Sequence, residues 1–354
     1  MSNISKKSSA ECKNVNSDFL KFSSLKGKYK PVGRTLLNSE GLKFDWAHSG
    51  FTVKGSFEGD VLLKLSAASR VLCAFVVDED YDTPFIQVAE GDETFKIAEA
   101  LTKGVHTVTV LKISEPGSVI TAKELCFNGT LDNPPSDKAL KIEFIGDSVT
   151  CSNGLYNEAE QPDNLFRQNT LLGFPFLVGK GLNADISVVS KSGYAVCSPK
   201  TGHIMSHYNC SLYGDFEPAD AWNFEENKSP DIVFVALGTN DTPQFNSPSG
   251  ALYGQYDYLK NGIKNTLDII RSKNPNAVII WGYEMMATAI ADVYESAVLN
   301  WSEKNKNAYY LKLTRLDAEG KNGCTGIAGH PNPKCHKNNA EIIVKFIKEN
   351  ILKQ

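Results

Sequence analysis

In Lys141-Ile-Glu-Phe-Ile-Gly-Asp-Ser-Val-Thr150 a run of β-formers meets a glycine and then an acid-serine pair. Ile142, Phe144 and Ile145, bounded by Pro134-Pro135 upstream and Gly146 downstream, predict a short buried strand. Gly146 permits a tight turn, which leaves Ser148 at the carboxyl edge of a sheet, where α/β proteins bind their ligands. A serine hydroxyl becomes a nucleophile only when a base removes its proton, and attack on a carbonyl needs N–H donors for the oxyanion that forms. Gly-Asp-Ser is also an ordinary turn, so the reading depends on what the rest of the chain supplies.

Downstream, β-type runs at 141–146, 185–190, 231–237, 277–283 and 308–313 alternate with helical periodicity near 168–182, 254–273 and 290–305. A last helix is expected over about 338–352, with Ile342, Ile343, Phe346, Ile347 and Ile351 on one face. Near-continuous apolar strands between helices predict a five-stranded parallel sheet covered on both faces, a three-layer α/β/α domain over 139–354. Upstream, Asn133-Pro-Pro-Ser-Asp137 marks a linker over 133–138. Residues 29–132 carry short runs separated by Gly, Asp and Pro (Phe51 to Glu58, Val61 to Leu65, Val71 to Val77, Val105 to Ile113, Val119 to Phe127), which predict a β-sandwich. Residues 1–28 are expected to be a polar, disordered N-terminus.

Three further blocks fall where a strand ends or a loop returns: Ser192-Gly193, Gly238-Thr-Asn-Asp241 and His330-Pro-Asn332. With Gly146-Asp-Ser148 ahead of them, the four in this order resemble the SGNH (GDSL-type) hydrolase superfamily over roughly residues 139 to 354. A β-rich domain joined by a short linker to Ile-Glu-Phe-Ile-Gly-Asp-Ser looks, more narrowly, like carbohydrate esterase family 2. The resemblance implies a jelly roll for the first domain and removal of acetyl groups from plant cell-wall polysaccharides such as xylan and glucomannan. It makes Ser148 the nucleophile and His330 the base, and it builds the oxyanion hole from Ser148, Gly193 and Asn240. No cofactor or metal is expected.

His336 competes with His330 for the base; the His-Pro block selects His330, and His336 opens the last helix, where a structural role is expected. The family's orienting aspartate is absent, since the positions that would carry it hold Ile327 and Ala328. A backbone carbonyl or a distant carboxylate such as Asp317 is left to orient His330, and Gly329 stands where the family often has an aromatic. Asp147 and Asp241 read as carboxylates that brace loops.

The chain of 354 residues, 42% hydrophobic and 22% charged, suffices for two cores. A formal charge of -4 offers no basic face for nucleic acid, and no apolar run approaches the length of a membrane span. Cys197 with Cys210 and Cys324 with Cys335 have spacings that suit local disulfides, and Cys73 and Cys126 lie in β-type segments. Disulfides need an oxidising compartment, so a secreted protein is expected, although Met1 to Ala10 lack the apolar core of a signal peptide; the alternative is an intracellular protein whose cysteines are buried, reduced and act as small hydrophobes. Trp46 and Phe44 are candidates to stack on sugars, with core packing as the plainer reading; His48 and His106 read as surface or strand residues without a role. The expected partner is an acetylated polysaccharide or oligosaccharide acted on by a monomer. A lipid or small-ester hydrolase and a polysaccharide-binding protein with impaired catalysis are the alternatives, the first disfavoured by the polar loop 152–164.

Overall fold

The computed structural model describes residues 18–83, 85–200 and 202–353, so the polar segment up to residue 17 lies outside the described residues. The chain divides into two compact units, one formed by Met1–Asp137 with Cys210–Asp220 and the other by Lys138–Asn209 with Ala221–Gln354.

The strands of the first unit are β1 (Leu20–Lys21), β2 (Tyr29–Val32), β3 (Thr35–Asn38), β4 (Gly41–Phe44), β5 (Ser49–Ala67), β6 (Val71–Val77), β7 (Phe85–Val88), β8 (Gly91–Lys112) and β9 (Ile120–Leu131). They form one antiparallel sheet in the order β3-β4-β9-β5-β8-β6-β7, with β1 on β9 and β2 on β5. The runs expected at 51–58 and 61–65 are a single strand. β5 passes through register shifts between Phe57 and Val61, where Gly59 adopts a φ of +79°. Such bulges bend a long strand, so one continuous sheet curls over one core of Phe44, Phe51, Phe57, Val61, Phe95 and Val110.

Phe22 and Leu25 belong to that core, so order begins before residue 29: the apolar side chains here outweigh their polar neighbours. Phe44 and Trp46 are fully buried and present no face to a sugar. His48 is buried rather than at the surface, and burial pushes its pKa down to about 4. The segment 210–220 reaches this unit through Arg34, whose Nη1 donates to Cys210 O at 3.2 Å, and through an edge contact of Tyr213 with Trp46 at 5.6 Å between centroids.

The second unit holds a parallel sheet of β10 (Leu140–Gly146), β11 (Ala184–Ser190), β12 (Ile232–Ala236), β13 (Val278–Tyr283) and β14 (Ala308–Lys312), in the order β11-β10-β12-β13-β14. The helices are α1 (Phe174–Leu182), α2 (Thr242–Asn246), α3 (Tyr256–Lys273), α4 (Ala291–Ser302) and α5 (Pro333–Asn350). Ile142, Phe144 and Ile145 are all fully buried, and Glu143 between them is buried too, its Oε2 accepting from the Tyr208 hydroxyl at 2.7 Å. Phe144 meets Phe174 of α1 edge-on at 5.7 Å, while Leu259, Ile263, Leu267 and Ile270 give α3 one buried face. The last helix starts five residues earlier than its apolar face suggests, at Pro333, with the Asn332 side chain accepting from Cys335 N at 2.8 Å as its cap.

All seven described cysteines (Cys73, Cys126, Cys151, Cys197, Cys210, Cys324 and Cys335) are buried thiols outside any disulfide, against the expected local disulfides. Cys197 and Cys210 fall in different units. Cys324 and Cys335 lie side by side as thiols, Cys324 Sγ donating to Met285 O at 3.3 Å and Cys335 Sγ to Thr314 O at 3.6 Å. Buried thiols with carbonyl acceptors act as small hydrophobes, and spacing along the chain does not separate that use from pairing.

Candidate active site

Gly146 closes β10, and a Cβ there would lie 1.9 Å from Thr150 Oγ1 and 2.9 Å from Ala236 O, so only glycine lets the chain turn this tightly. The turn is braced from within: Asp147 Oδ1 accepts from Val149 N at 3.0 Å, Cys151 N donates to Asp147 O at 3.0 Å, and Asn153 N donates to Ser148 O at 2.9 Å. Ser148 thus stands at the carboxyl end of the second strand in the sheet. On one side β11 pairs Ser190 with Gly146, and Gly193 follows three residues on; on the other β12 pairs Ala236 with Gly146, and Asn240 follows four residues on. Sheet order therefore gathers three blocks that lie far apart in the sequence.

His330 arrives from the loop after β14. Its Nε2 lies 2.8 Å from Ser148 Oγ and its Nδ1 lies 2.6 Å from Ile327 O. A carbonyl can only accept, so Nδ1 carries the proton and Nε2 is left bare to accept the serine hydroxyl. The Ile327 carbonyl is turned to this task by a short 3₁₀ turn, Ile327–Gly329, in which Ala328 and Gly329 both take left-handed φ values of 51° and 76°. The missing acid at 327 or 328 is thus replaced by a main-chain oxygen, while Asp317 accepts from Glu319 N and Lys321 N in its own turn. From the opposite side Gly154, at φ +75°, packs against the imidazole: a Cβ there would sit 2.6 Å from His330 Cγ and 2.8 Å from its Cβ.

Asn240 Nδ2 donates to Tyr194 O at 2.8 Å and to Asp147 Oδ2 at 3.3 Å, so it ties the loop after β11 to the serine turn. Gly193 is exposed at φ +80°. Asp147 is fully buried, and burial, with the charge of Asp241 adding to it, raises its pKa from 3.8 to about 7. Both carboxylates brace loops: Asp147 accepts from Val149 N and Asn240 Nδ2, and Asp241 accepts from Val196 N and Cys197 N. A hydroxyl held against an imidazole whose far nitrogen is anchored is arranged for proton transfer from Oγ to Nε2.

His336 cannot take the base's place. It is fully buried one turn into α5, its ring stacks on Phe174 with 8° between planes, and its Nδ1 accepts from Phe174 N at 3.2 Å. Burial lowers its pKa from 6.5 to about 3. A histidine held neutral this way contributes stability that is complete above pH 6.5 and lost as the pH falls towards 3, because the unfolded chain takes up a proton that the folded one refuses. In His336→Asn, which keeps an acceptor for Phe174 N, the melting temperature should fall less steeply between pH 6.5 and about 4 than in the parent, whatever its value at pH 7; thermal unfolding at stepped pH measures this.

Residues 144–337, more than half of the chain, match the GDSL-like Lipase/Acylhydrolase family. The chain is similar to the cellulase/esterase CelE of Acetivibrio thermocellus, 26% identical over 326 residues that make up 86% of this chain and 37% of that protein; it spans little more than a third of that relative. It is 24% identical over 293 residues to the acetylxylan esterase / glucomannan deacetylase of Cellvibrio japonicus, covering 80% of this chain and 75% of that one. Among solved structures, an acetyl xylan esterase, Est2A, from the rumen bacterium Butyrivibrio proteoclasticus superimposes with a TM-score of 0.82 at 20% identity, over 94% of this chain and 98% of that one.

Proposed function

The chain belongs to the GDSL-like lipase/acylhydrolase family, and from that membership we propose that it is a carbohydrate O-acetyl esterase acting on acetylated cell-wall polysaccharides. The observation that carries the reading is the contact of His330 Nε2 with Ser148 Oγ at 2.8 Å while Nδ1 is held on Ile327 O. Ser148 Oγ attacks the acetyl carbonyl as its proton passes to His330 Nε2, and the carbonyl oxygen becomes an anion held by the N–H groups of Ser148 and Gly193 and the Asn240 amide. The tetrahedral intermediate collapses, the C–O bond to the sugar breaks, and His330 returns the proton to the departing hydroxyl. Water, deprotonated by the same nitrogen, then frees acetate and restores Ser148.

The Ile327 carbonyl stabilises the imidazolium through Nδ1–H as an aspartate would, with a dipole in place of a charge. The sugar and the acetyl group come to this reading from the Cellvibrio japonicus relative, whose name specifies acetylxylan and glucomannan. It also puts the protein outside the cell, where such polymers lie, acting as a monomer. Acetate release from acetylated xylan and acetylated glucomannan tests it: release from either supports the reading, and retention of the protein by these polymers without release would make it a binding protein instead.

The close packing of Gly154 on the imidazole gives a second check. Gly154→Ala, at a left-handed φ and with its methyl 2.6 Å from His330 Cγ, should displace the ring and lower kcat by about 10²-fold, since a misplacement of about 1 Å is enough for that loss. Steady-state kinetics on a soluble acetyl ester measures it.

A further inference from the structure

We propose that Asp241 is the positioning residue of the oxyanion hole: its carboxylate holds the turn that presents Gly193 in fixed register with Asn240. The inference rests on the esterase reading above and adds to it the device that preassembles the hole.

Gly193 is not placed by side-chain packing: it is exposed, has a left-handed φ of +80°, and a Cβ built on it would meet no atom within 4 Å. Its turn is held from before by Tyr194 N, which donates to Lys191 O at 3.3 Å, and by Asn153 Nδ2, which donates to Ser192 Oγ at 2.9 Å. From after, it is gripped at successive points by residues 240 and 241. Asn240 Nδ2 donates to Tyr194 O at 2.8 Å, Val196 N donates to Asp241 Oδ2 at 2.9 Å, and Cys197 N donates to Asp241 Oδ1 at 3.0 Å. Asp241 is fully buried, and the Tyr294 hydroxyl donates to its Oδ2 at 3.2 Å from behind. Tyr294 in turn stacks on Tyr283 at 4.5 Å and 21°, so the back wall is a packed aromatic pair. Asn240 and Asp241 are adjacent in the chain, so the clamp on the Gly193 turn and the third donor of the hole move as one piece.

The site demands a carboxylate. Both oxygens face donors, two of them backbone N–H groups, and a buried charge is held here only because those donors satisfy it. A carboxamide has the same shape but one acceptor; its NH₂ would face a backbone N–H and push the turn away. The effect is on where an N–H points when negative charge develops on the substrate, so it falls on the transition state and leaves ground-state binding largely untouched.

The test compares the parent with Asp241→Asn and Asp241→Ser on a soluble acetyl ester and on acetylated xylan, with circular dichroism and thermal unfolding of each protein. The expected result is a folded Asp241→Asn whose kcat falls by roughly 10- to 100-fold with KM within about twofold of the parent, the pattern of a lost or misaimed oxyanion donor. Asp241→Ser, which keeps one acceptor, should show the same split if Asp241→Asn does not fold. A folded variant with kcat within about twofold of the parent overturns the proposal, as does a loss that appears only in KM. Failure of both variants to fold makes Asp241 a folding determinant and overturns it too. Absence of ester hydrolysis in the parent itself would instead sink the esterase reading on which the proposal rests.

Discussion

Ser148→Ala is expected to abolish acetate release, with kcat lower by about 10⁵-fold or more and the unfolding temperature unchanged within a few degrees. Ser148 contributes its hydroxyl to one hydrogen bond, with His330, and the turn around it is braced by backbone atoms that alanine retains. His330→Ala should cost about as much, and the double variant little more than either single one, because nucleophile and base act as a unit. Acetate assays on acetylated xylan with the three variants settle it. Activity surviving in Ser148→Ala would mean that another group is the nucleophile.

Asn240→Ala is expected to lower kcat by about 10²- to 10³-fold with a small change in KM, the cost of removing one oxyanion donor. Of the two hydrogens on Nδ2, one is engaged by Tyr194 O at 2.8 Å; the other makes the longer bond to Asp147 Oδ2 at 3.3 Å, and a developing oxyanion would draw it from there. Replacing Asn240 also frees the Tyr194 carbonyl, so some loosening of the Gly193 turn adds to the loss. Parallel kinetics on a soluble acetyl ester and on polymer would show a kcat effect common to both, since the oxyanion is the same whatever alcohol departs.

The parallel sheet was legible because its inner strands β12 and β13 are buried along almost their whole length and carry near-continuous apolar runs, Ile232–Ala236 and Val278–Tyr283. Expected strands at 141–146, 185–190 and 308–313 meet observed Leu140–Gly146, Ala184–Ser190 and Ala308–Lys312. The ends of helices were less legible. The start of α5 is fixed by Asn332 and Pro333, a capping pair that lies outside its apolar periodicity. Long strands such as β5 were read as fragments because a bulge at Gly59 interrupts the alternation of side chains without ending the strand. The assignment of 210–220 to the first unit has no local signal at all, since Leu212 and Tyr213 are apolar in either context. In the site, residue identity announced Ser148, Gly193, Asn240 and His330 in order, and the structure brings Ser148 into contact with His330. What stayed hidden were relations between residues: the imidazole packing on Gly154 and the donors that converge on Asp241.

The group that orients His330 is a peptide oxygen, and that changes where mutation can reach it. Every residue type at position 327 supplies the same C=O, so replacing Ile327 with alanine removes a side chain and leaves the orienting atom in place. A scan that reads importance from side-chain truncation would score the position as neutral. Sensitivity is displaced to the neighbours that set the peptide's direction, above all Gly329, whose φ of 76° admits few residues other than glycine, asparagine or aspartate. On the proposed mechanism, a site built this way can drift in sequence at the position that orients its base while keeping the orienting atom, and a comparison of sequences alone would record that position as lost.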